Sequence, residues 1–226
     1  MKKTIASLMI MALLTGCAGN DPLDRYKGYN KAMFKFNRSL DHLFLRPLAK
    51  GYVYITPQIL RQMISNFLSN ISEPGYFVNH LLQGNVTAAA QNLWRFSLNS
   101  TFGLAGTFDV ASRTGFKRGK TDFGITLVTW GMKKQDFIML PVLGPSSFDQ
   151  VIALPVDKYY LNIEQHIKPP TNEIITTARI LDTRAKLLPA DAMMKNALSP
   201  YVFMRNAYMQ RRQHQIQQAL KQSTHD

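Results

Sequence analysis

The feature that most constrains this chain is its only cysteine, Cys17, which stands at the end of a secretory leader. Lys2 and Lys3 make a basic start, residues 5–14 an apolar run, and Leu14-Thr15-Gly16-Cys17 has the form of a lipobox. The apolar run is too short for a permanent spanning helix, which needs about 20 residues. Small residues before Cys17 admit a peptidase, and the thiol then takes a diacylglycerol. An uncleaved apolar terminus with a buried cysteine is the competing reading, but a lone thiol at this spacing argues against it. The expectation is therefore an exported bacterial lipoprotein. Residues 1–16 are the signal peptide and 17–25 a lipidated tether. Residues 26–226 form a single domain, with a C-terminal helix and tail over about 199–226. Each buried CH₂ adds about 0.8 kcal/mol, so a residue carrying two or three acyl chains anchors firmly. With its one thiol acylated the mature chain has no disulfide, although the compartment permits one. Stability must come from packing, lipid or partners.

The formal charge of +13 falls to +11 once Lys2 and Lys3 leave with the signal. Export removes nucleic acid as a partner, so anionic lipid headgroups and acidic protein faces are the targets a basic surface would meet. Charged residues are 18% of the chain and hydrophobic ones 46%, which is greasy for a free periplasmic protein. Yet no run of 18 apolar residues occurs, which excludes a spanning apolar helix.

After the tether the pattern is mainly helical. Thr56-Pro57 supplies a cap and first-turn proline. Leu60, Met63, Ile64, Phe67, Leu68 and Ile71 then recur at helical spacing, opposite Gln58, Arg61, Gln62, Ser65, Asn66 and Ser69. That face either turns into a core or lies in a membrane interface. Glu73-Pro74 opens a helix that Gly84 closes, and Asn85 or Thr87 caps the next, which carries Ala89, Leu93, Trp94, Phe96 and Leu98. Residues 99–106 break the pattern around Gly103 and Gly106. A basic loop follows over 112–122. Residues 123–130 and 137–143 read as two strands or an irregular hairpin, and Gly144-Pro145-Ser146-Ser147 as a turn. Helical pattern returns at about 148–167, kinked or interrupted at Pro155. Thr171 and Asp191 cap two more helices. The last starts at Ser199-Pro200, with a first half that packs and a second half that projects, either fraying in solvent or offering a basic arm.

No enzyme emerges. The five histidines lie far apart and none has a second ligand at metal spacing. There is no Gly-x-Ser-x-Gly elbow and no phosphate loop. Neither a cofactor nor a metal is expected.

A series of motifs carries a resemblance. It runs from Asp21-Pro22-Leu23 through Tyr29-Asn30-Lys31-Ala32-Met33-Phe34-Lys35-Phe36-Asn37, Arg46-Pro47-Leu48-Ala49 and Asn66-Phe67-x-x-Asn70. Glu73-Pro74 with Asn79 and Leu82-Gln83-Gly84 follows, then Arg95-Phe96-x-x-Asn99, Gly103-x-x-Gly106 and Asp109-Val110-Ala111. Phe123-Gly124-x-Thr126-Leu127, Leu140-Pro141-x-x-Gly144-Pro145-Ser146, Arg184-Ala185-x-Leu187-Leu188 and Pro200-Tyr201 complete it. Together these resemble the MlaA/VacJ lipoproteins of the Gram-negative outer membrane. Two elements depart from the pattern: Gly131-Met132-Lys133-Lys134-Gln135-Asp136 replaces a Gly-x-Gly, and Ser147-Phe148-Asp149 keeps only the acid of an Arg-Asp pair.

The resemblance implies an all-α, ring- or disc-like helical bundle with amphipathic membrane-interface helices. A short irregular hairpin near 113–144 and a projecting C-terminal helix complete the expected fold. It further implies a protein lipid-anchored on the periplasmic face of the outer membrane, beside a trimeric porin. Mislocalised phospholipids would pass from the outer leaflet through an amphipathic passage to a soluble, MlaC-like periplasmic lipid carrier. Ala18 after the acylated residue agrees with outer-membrane sorting. Non-helical backbone at membrane depth is tolerated only where it is buried or lines a cavity. That makes residues 103–144 the expected passage wall: Gly103, Gly106 and Gly124 keep it thin, and Asp109 and Phe123 belong to it. Lys117, Arg118 and Lys120 are candidate phosphate contacts, with a solvated loop as the plain alternative. Phe36 and Asn37 are assigned to a gating segment, and Arg205, Tyr208, Arg211 and Arg212 to carrier docking. A lipoprotein that merely braces porins or the envelope is the rival function, and a lipid hydrolase a weaker one.

Overall fold

A computed structural model describes residues 24–133 and 135–223, so Cys17 and the signal segment lie outside the described residues. The chain opens with a bent helical run: α1 (Lys27–Leu40), a π-helical turn (Asp41–Leu45) and α2 (Arg46–Ile55). Pro47 lacks the N–H that would continue the α ladder. Just before it the ladder widens, and Arg46 donates to the Asp41 carbonyl five residues back. Next come α3 (Gln58–Asn70), α4 (Glu73–Leu82) and α5 (Val86–Thr101). Gly84, with φ +77°, turns the chain between α4 and α5, and the Asn85 side chain caps α5 by accepting from the Ala88 amide.

Two short helices, α6 (Val110–Arg113) and α7 (Phe123–Thr129), are each capped by an aspartate, Asp109 and Asp122. Residues 123–129, read from sequence as a strand, are thus helical: the Asp122 cap settles what an apolar run of seven leaves ambiguous. The antiparallel hairpin pairs β1 (Phe137–Leu140) with β2 (Gly144–Ser147), Phe137 opposite Ser147. Gly144-Pro145-Ser146-Ser147 is therefore a strand, and the turn lies at 141–143. Then α8 (Phe148–Val156) runs through Pro155 into a second π-helical turn (Asp157–Leu161). A 3₁₀ turn (Ile163–His166), α9 (Thr171–Leu187), α10 (Ala190–Asn196) and α11 (Pro200–Ser223) follow. The chain is an all-α bundle with one small hairpin. α4 packs on α5, α7 on α8, α9 on α2, and α11 on α7 and β2.

The second half of α11 does not project. Arg212, Ile216 and Ala219 are buried, and Ile216 and Ala219 pack against Ile125 and Val128 of α7. The other apolar core sits under the hairpin, where Phe137 and Met139 meet Tyr201 and Tyr208. The Phe137 ring lies edge-on to both tyrosines, with centroids 6.4 and 5.9 Å away.

Elsewhere the usual polarity is reversed. Among the described residues, buried polar and charged side chains outnumber buried hydrophobic ones, and the largest fully buried side chains begin with Arg95 and Arg212. On α5, Asn92, Arg95 and Asn99 turn inward while Leu93 and Trp94 of the expected apolar face are about half exposed. On α3, Ser65 and Asn70 are buried whereas Ile59 and Leu60 are exposed. No described helix is long and apolar enough to cross a membrane. A soluble protein rarely tolerates so much exposed apolar surface, which marks a partner or a lipid environment.

Candidate functional site

Two buried arginine clusters organise the interior around the expected passage wall. The first grows from α5. Asn92, Arg95 and Asn99 stand three and four residues apart, so they share one face. Arg95 Nε donates to Glu73 Oε1 at 3.1 Å, and Nη2 donates to both oxygens of Asp109 at 2.9 and 3.0 Å. Nη1 donates to Ser112 Oγ and to the Phe116 carbonyl. Asn92 holds Glu73 Oε2 and the Gly119 carbonyl, and Asn99 holds Asp109 and the Ala111 amide. Arg118 adds a second cation, 3.4 Å from Glu73 and 3.2 Å from Asp109. Two arginines thus face two carboxylates. Burial raises the Asp109 pKa, but the Ser112 hydroxyl and the Arg95 guanidinium outweigh it and hold the carboxyl down at about 2.

The second cluster joins the two ends of the fold. Arg212 of α11 donates to Asp122 Oδ1 and Oδ2 at 2.9 and 2.5 Å, and its Nε donates to the buried Asp149 at 3.1 Å. Gln150 Nε2 also donates to Asp122. Burial opposes the Arg212 charge, and Asp122 and Asp149 more than restore it. Asp157 lies beside this group, accepting the Phe123 amide at 3.0 Å. Its burial raises its pKa to about 6, with Asp122 adding to the rise against the Phe123 hydrogen bond.

The expected wall residues divide between these clusters. Gly103 and Gly106 are buried in the tight turn after α5. A Cβ on Gly103 would come within 2.3 Å of the Phe108 carbonyl oxygen, and one on Gly106 within 2.5 Å of the Asn70 side chain. Leu104, Ala105 and Gly106 all take positive φ, which for Leu104 and Ala105 is a strained choice held by the surrounding turn. Asp109 and Arg118 belong to the Arg95 cluster. Lys117 and Lys120 are both exposed, and partial desolvation of the Lys120 ammonium with the nearby Arg118, Lys186 and Arg211 lowers its pKa. Phe123 packs edge-on to Trp130, with centroids 5.8 Å apart, and Gly124 admits Arg212. A Cβ on Gly124 would lie 2.7 Å from Arg212 Nη2 and 3.0 Å from Asp149.

Asn37 of the expected gating segment donates to the Leu140 carbonyl at 2.8 Å and accepts from the Val142 amide at 2.7 Å. Asn30, two turns earlier on α1, does the same for Phe137 and Met139. These two amides hold the free edge of β1 where a third strand would lie. Phe36 is half exposed beside them. Of the four residues expected at a docking face, Arg205, Tyr208 and Arg212 are buried, and Arg211 is exposed. Arg205 and Tyr201 donate to the buried Asp24, and Tyr208 to Gln150. Those three positions are spent inside the fold, which corrects the docking assignment. Sequence reasoning overlooked Asp24, Arg95, Asp122 and Asp149 as structural charges and Asn92 as a buried amide. The polar i, i+3, i+7 spacing of Asn92, Arg95 and Asn99 was the readable signal. Among the described residues no group of three or more His, Cys, Asp or Glu is placed to hold a metal.

Polar networks inside and apolar helix faces outside define an amphiphilic helical protein. The chain belongs to the MlaA lipoprotein family, whose model matches residues 20–215. It is 32% identical over 224 residues to the intermembrane phospholipid transport system lipoprotein MlaA of Escherichia coli, covering 93% of this chain and 88% of that one. The Haemophilus influenzae protein of the same description is 30% identical, with 95% and 90% covered. A solved structure from work on the structural basis for maintenance of bacterial outer membrane lipid asymmetry matches with a TM-score of 0.75 and 31% identity. That match covers 85% of this chain and 98% of the other.

Proposed function

We propose that this chain is an outer-membrane lipoprotein, anchored through Cys17 on the periplasmic face, that takes part in phospholipid transport. It removes mislocalised phospholipid from the outer leaflet through an amphipathic passage to a soluble periplasmic carrier, beside a trimeric porin. The transport role rests on the family and on relatives described as intermembrane phospholipid transport lipoproteins. The observation that carries the mechanism is the reversed polarity: arginines, carboxylates and amides inside, apolar side chains outside. A headgroup needs a polar, charged route, and the helices around that route need acyl chains against their outer faces. Trp94 and Trp130, both more than half exposed, suit the headgroup level, where aromatic rings gather.

Lys117 and Lys120 offer headgroup phosphates cationic contact, while Arg118 is largely committed to Glu73 and Asp109. Asn37 acts on the hairpin it touches, with the half-exposed Phe36 next to it in the same gating segment. No energy source is needed within the chain, because direction can follow the carrier's affinity for lipid. The test uses the full lipidated chain in vesicles containing labelled phospholipid, with a soluble lipid carrier as acceptor. Intact label should move to the acceptor, and replacing Lys117 and Lys120 together by glutamine should slow it several-fold. Equal label in the acceptor with and without the chain would leave only a bracing role. Cleaved product would mean a hydrolase.

A further inference from the structure

Two of the motif segments, Arg46-Pro47 and Arg184-Ala185, lie outside the 103–144 wall and converge on the bend of the first helical run. Arg184 Nε donates to Asp41 Oδ1 at 2.6 Å and its Nη2 to Oδ2 at 2.9 Å, a bidentate fork. The same Nη2 reaches both oxygens of Asp191 at 2.9 and 3.0 Å, and Arg46 Nε donates to Asp191 Oδ2 at 3.0 Å. The Arg46 backbone N–H closes the circuit by donating to the Asp41 carbonyl. Asp41 is the first residue of the π-helical turn, Arg46 opens α2, Arg184 belongs to α9 and Asp191 to α10. Four elements thus close one ring around a single turn of backbone.

The ring is neutral, two arginines against two aspartates, and its side chains are 12–33% exposed. Forked pairs so shielded hold a geometry as well as a charge. What they hold is the weak point of the run, because a π-helical turn interrupts the α ladder, and such turns gather at functional sites. One helical turn before Asp41 stands Asn37, gripping the hairpin at Leu140 and Val142, and further back Asn30 grips Phe137 and Met139. The hairpin is therefore fastened along α1, and α1 meets the rest of the bundle at the ring. A change of bend at residues 41–46 would carry α1 and the hairpin together against α9.

We propose that this ring is a clasp fixing α1 and its hairpin against α9, and that Arg184, the member that touches both acids, is a positioning residue for lipid passage. A network that only fastened the fold would lower stability when cut and leave the hairpin in its place. The consequence for passage rests on the transport reading, while the clasp itself rests on the closed ring and the amide grips on the hairpin.

The test measures distances between nitroxide spin labels on the full lipidated chain in vesicles, where the lipid blocks Cys17. One pair, Leu143→Cys with Ile180→Cys, joins the exposed hairpin tip to α9; the other, Lys31→Cys with Leu143→Cys, joins α1 to the same tip. In Arg184→Gln the 143–180 distance should shift or widen by several Å while the 31–143 distance holds. Arg184→Lys keeps the charge without the fork and should fall between wild type and Arg184→Gln. Arg46→Gln leaves Arg184 and both acids in place; it should widen the 143–180 pair less, and it carries the test where Arg184→Gln does not fold. Vesicle-to-carrier transfer should slow about threefold in Arg184→Gln, as for a hairpin in its working position a third of the time. An unchanged 143–180 distance would reduce the ring to a fold-holding network and overturn the clasp. Equal widening of both pairs would mean general loosening and overturn it too. A displaced hairpin with wild-type transfer would overturn the positioning role. A wild-type chain that moves no lipid would sink the transport reading, and the distances would still decide the clasp.

Discussion

The two arginine clusters are near copies in plan and opposites in reach. Each sets one buried arginine between a fully buried acid, Glu73 or Asp149, and an aspartate about a quarter exposed that caps the following helix, Asp109 or Asp122. Arg95 finds its acids 22 and 14 residues away. Arg212 reaches across 63 and 90 residues, tying the last helix to the middle of the chain. The first cluster is also balanced by a second cation, Arg118, and braced by Asn92 and Asn99. The second has Asp157 as a third acid and one arginine. The local cluster shapes a loop, while the distant one closes the fold and carries the imbalance.

The largest expected effect follows from that contrast. Removing one partner of a buried ion pair costs about 3–5 kcal/mol. In a chain of this size that lowers the melting temperature by about 10 °C or more. Arg212→Ala strands three carboxylates and frees α11, so it should reach or exceed that range. Arg95→Ala leaves Arg118 within reach of both Glu73 and Asp109, so its loss should be smaller. Thermal melts of the detergent-purified variants check the order. Equal melting temperatures, or a deeper loss for Arg95→Ala, would break the comparison.

A middle-sized effect tests how tightly the second cluster is built. Gly124→Ala sets a methyl group against Arg212, Asp122 and Asp149, and forcing that displacement should cost about 1–3 kcal/mol. Gly51, within α2, has nothing within 4 Å of an added Cβ. There alanine should stabilise by about 0.5–1 kcal/mol through helix propensity and a less free unfolded chain. Opposite signs in the two melts are expected. A tolerated Gly124→Ala would mean that the cluster has slack.

Most helices and the Asn85 cap were legible in the sequence because those signals are local: the Asn85 side chain accepts the Ala88 amide three residues on. Thr56, Thr171 and Asp191, also expected as caps, make no cap hydrogen bond because their helices start after Pro57, Pro170 and Pro189. The apolar faces were found and their side was left open. Periodicity locates a stripe but says nothing of whether protein or lipid covers it, so Leu93 and Trp94 marked a face without revealing that Asn92 and Arg95 are the buried residues. Residues 123–130 went wrong because so short an apolar stretch fits a strand or a helix, and the deciding Asp122 cap was counted into a basic loop. The docking assignment failed for a longer-range reason. A basic helix end looks solvated until its acids are known, and those of Arg212 lie at Asp122 and Asp149. The Arg95 cluster was closer to hand, since Glu73, Arg95, Asn99 and Asp109 all fall in the quoted motifs. What the motifs withheld was that these residues face one another.

The smallest effect belongs to the surplus acid. Asp157 keeps its proton to about pH 6 in the folded chain, whereas an unfolded aspartate loses it near pH 4. Between those values the folded state binds more protons, so its stability falls as pH rises from about 4 to about 6 and then levels. Asp109, held at about 2, acts with the opposite sign in a lower window: its contribution is complete above about pH 4 and is lost as pH falls toward 2. The two clusters therefore titrate in separate ranges. Asp157→Asn keeps an oxygen for the Phe123 amide and removes the titration. Its melting temperature should hold steady between pH 4.5 and 7 where the wild type declines by a few degrees, and at pH 7 the variant should match or exceed the wild type. An unchanged slope would place the titrating group elsewhere and remove the charge imbalance as a difference between the clusters.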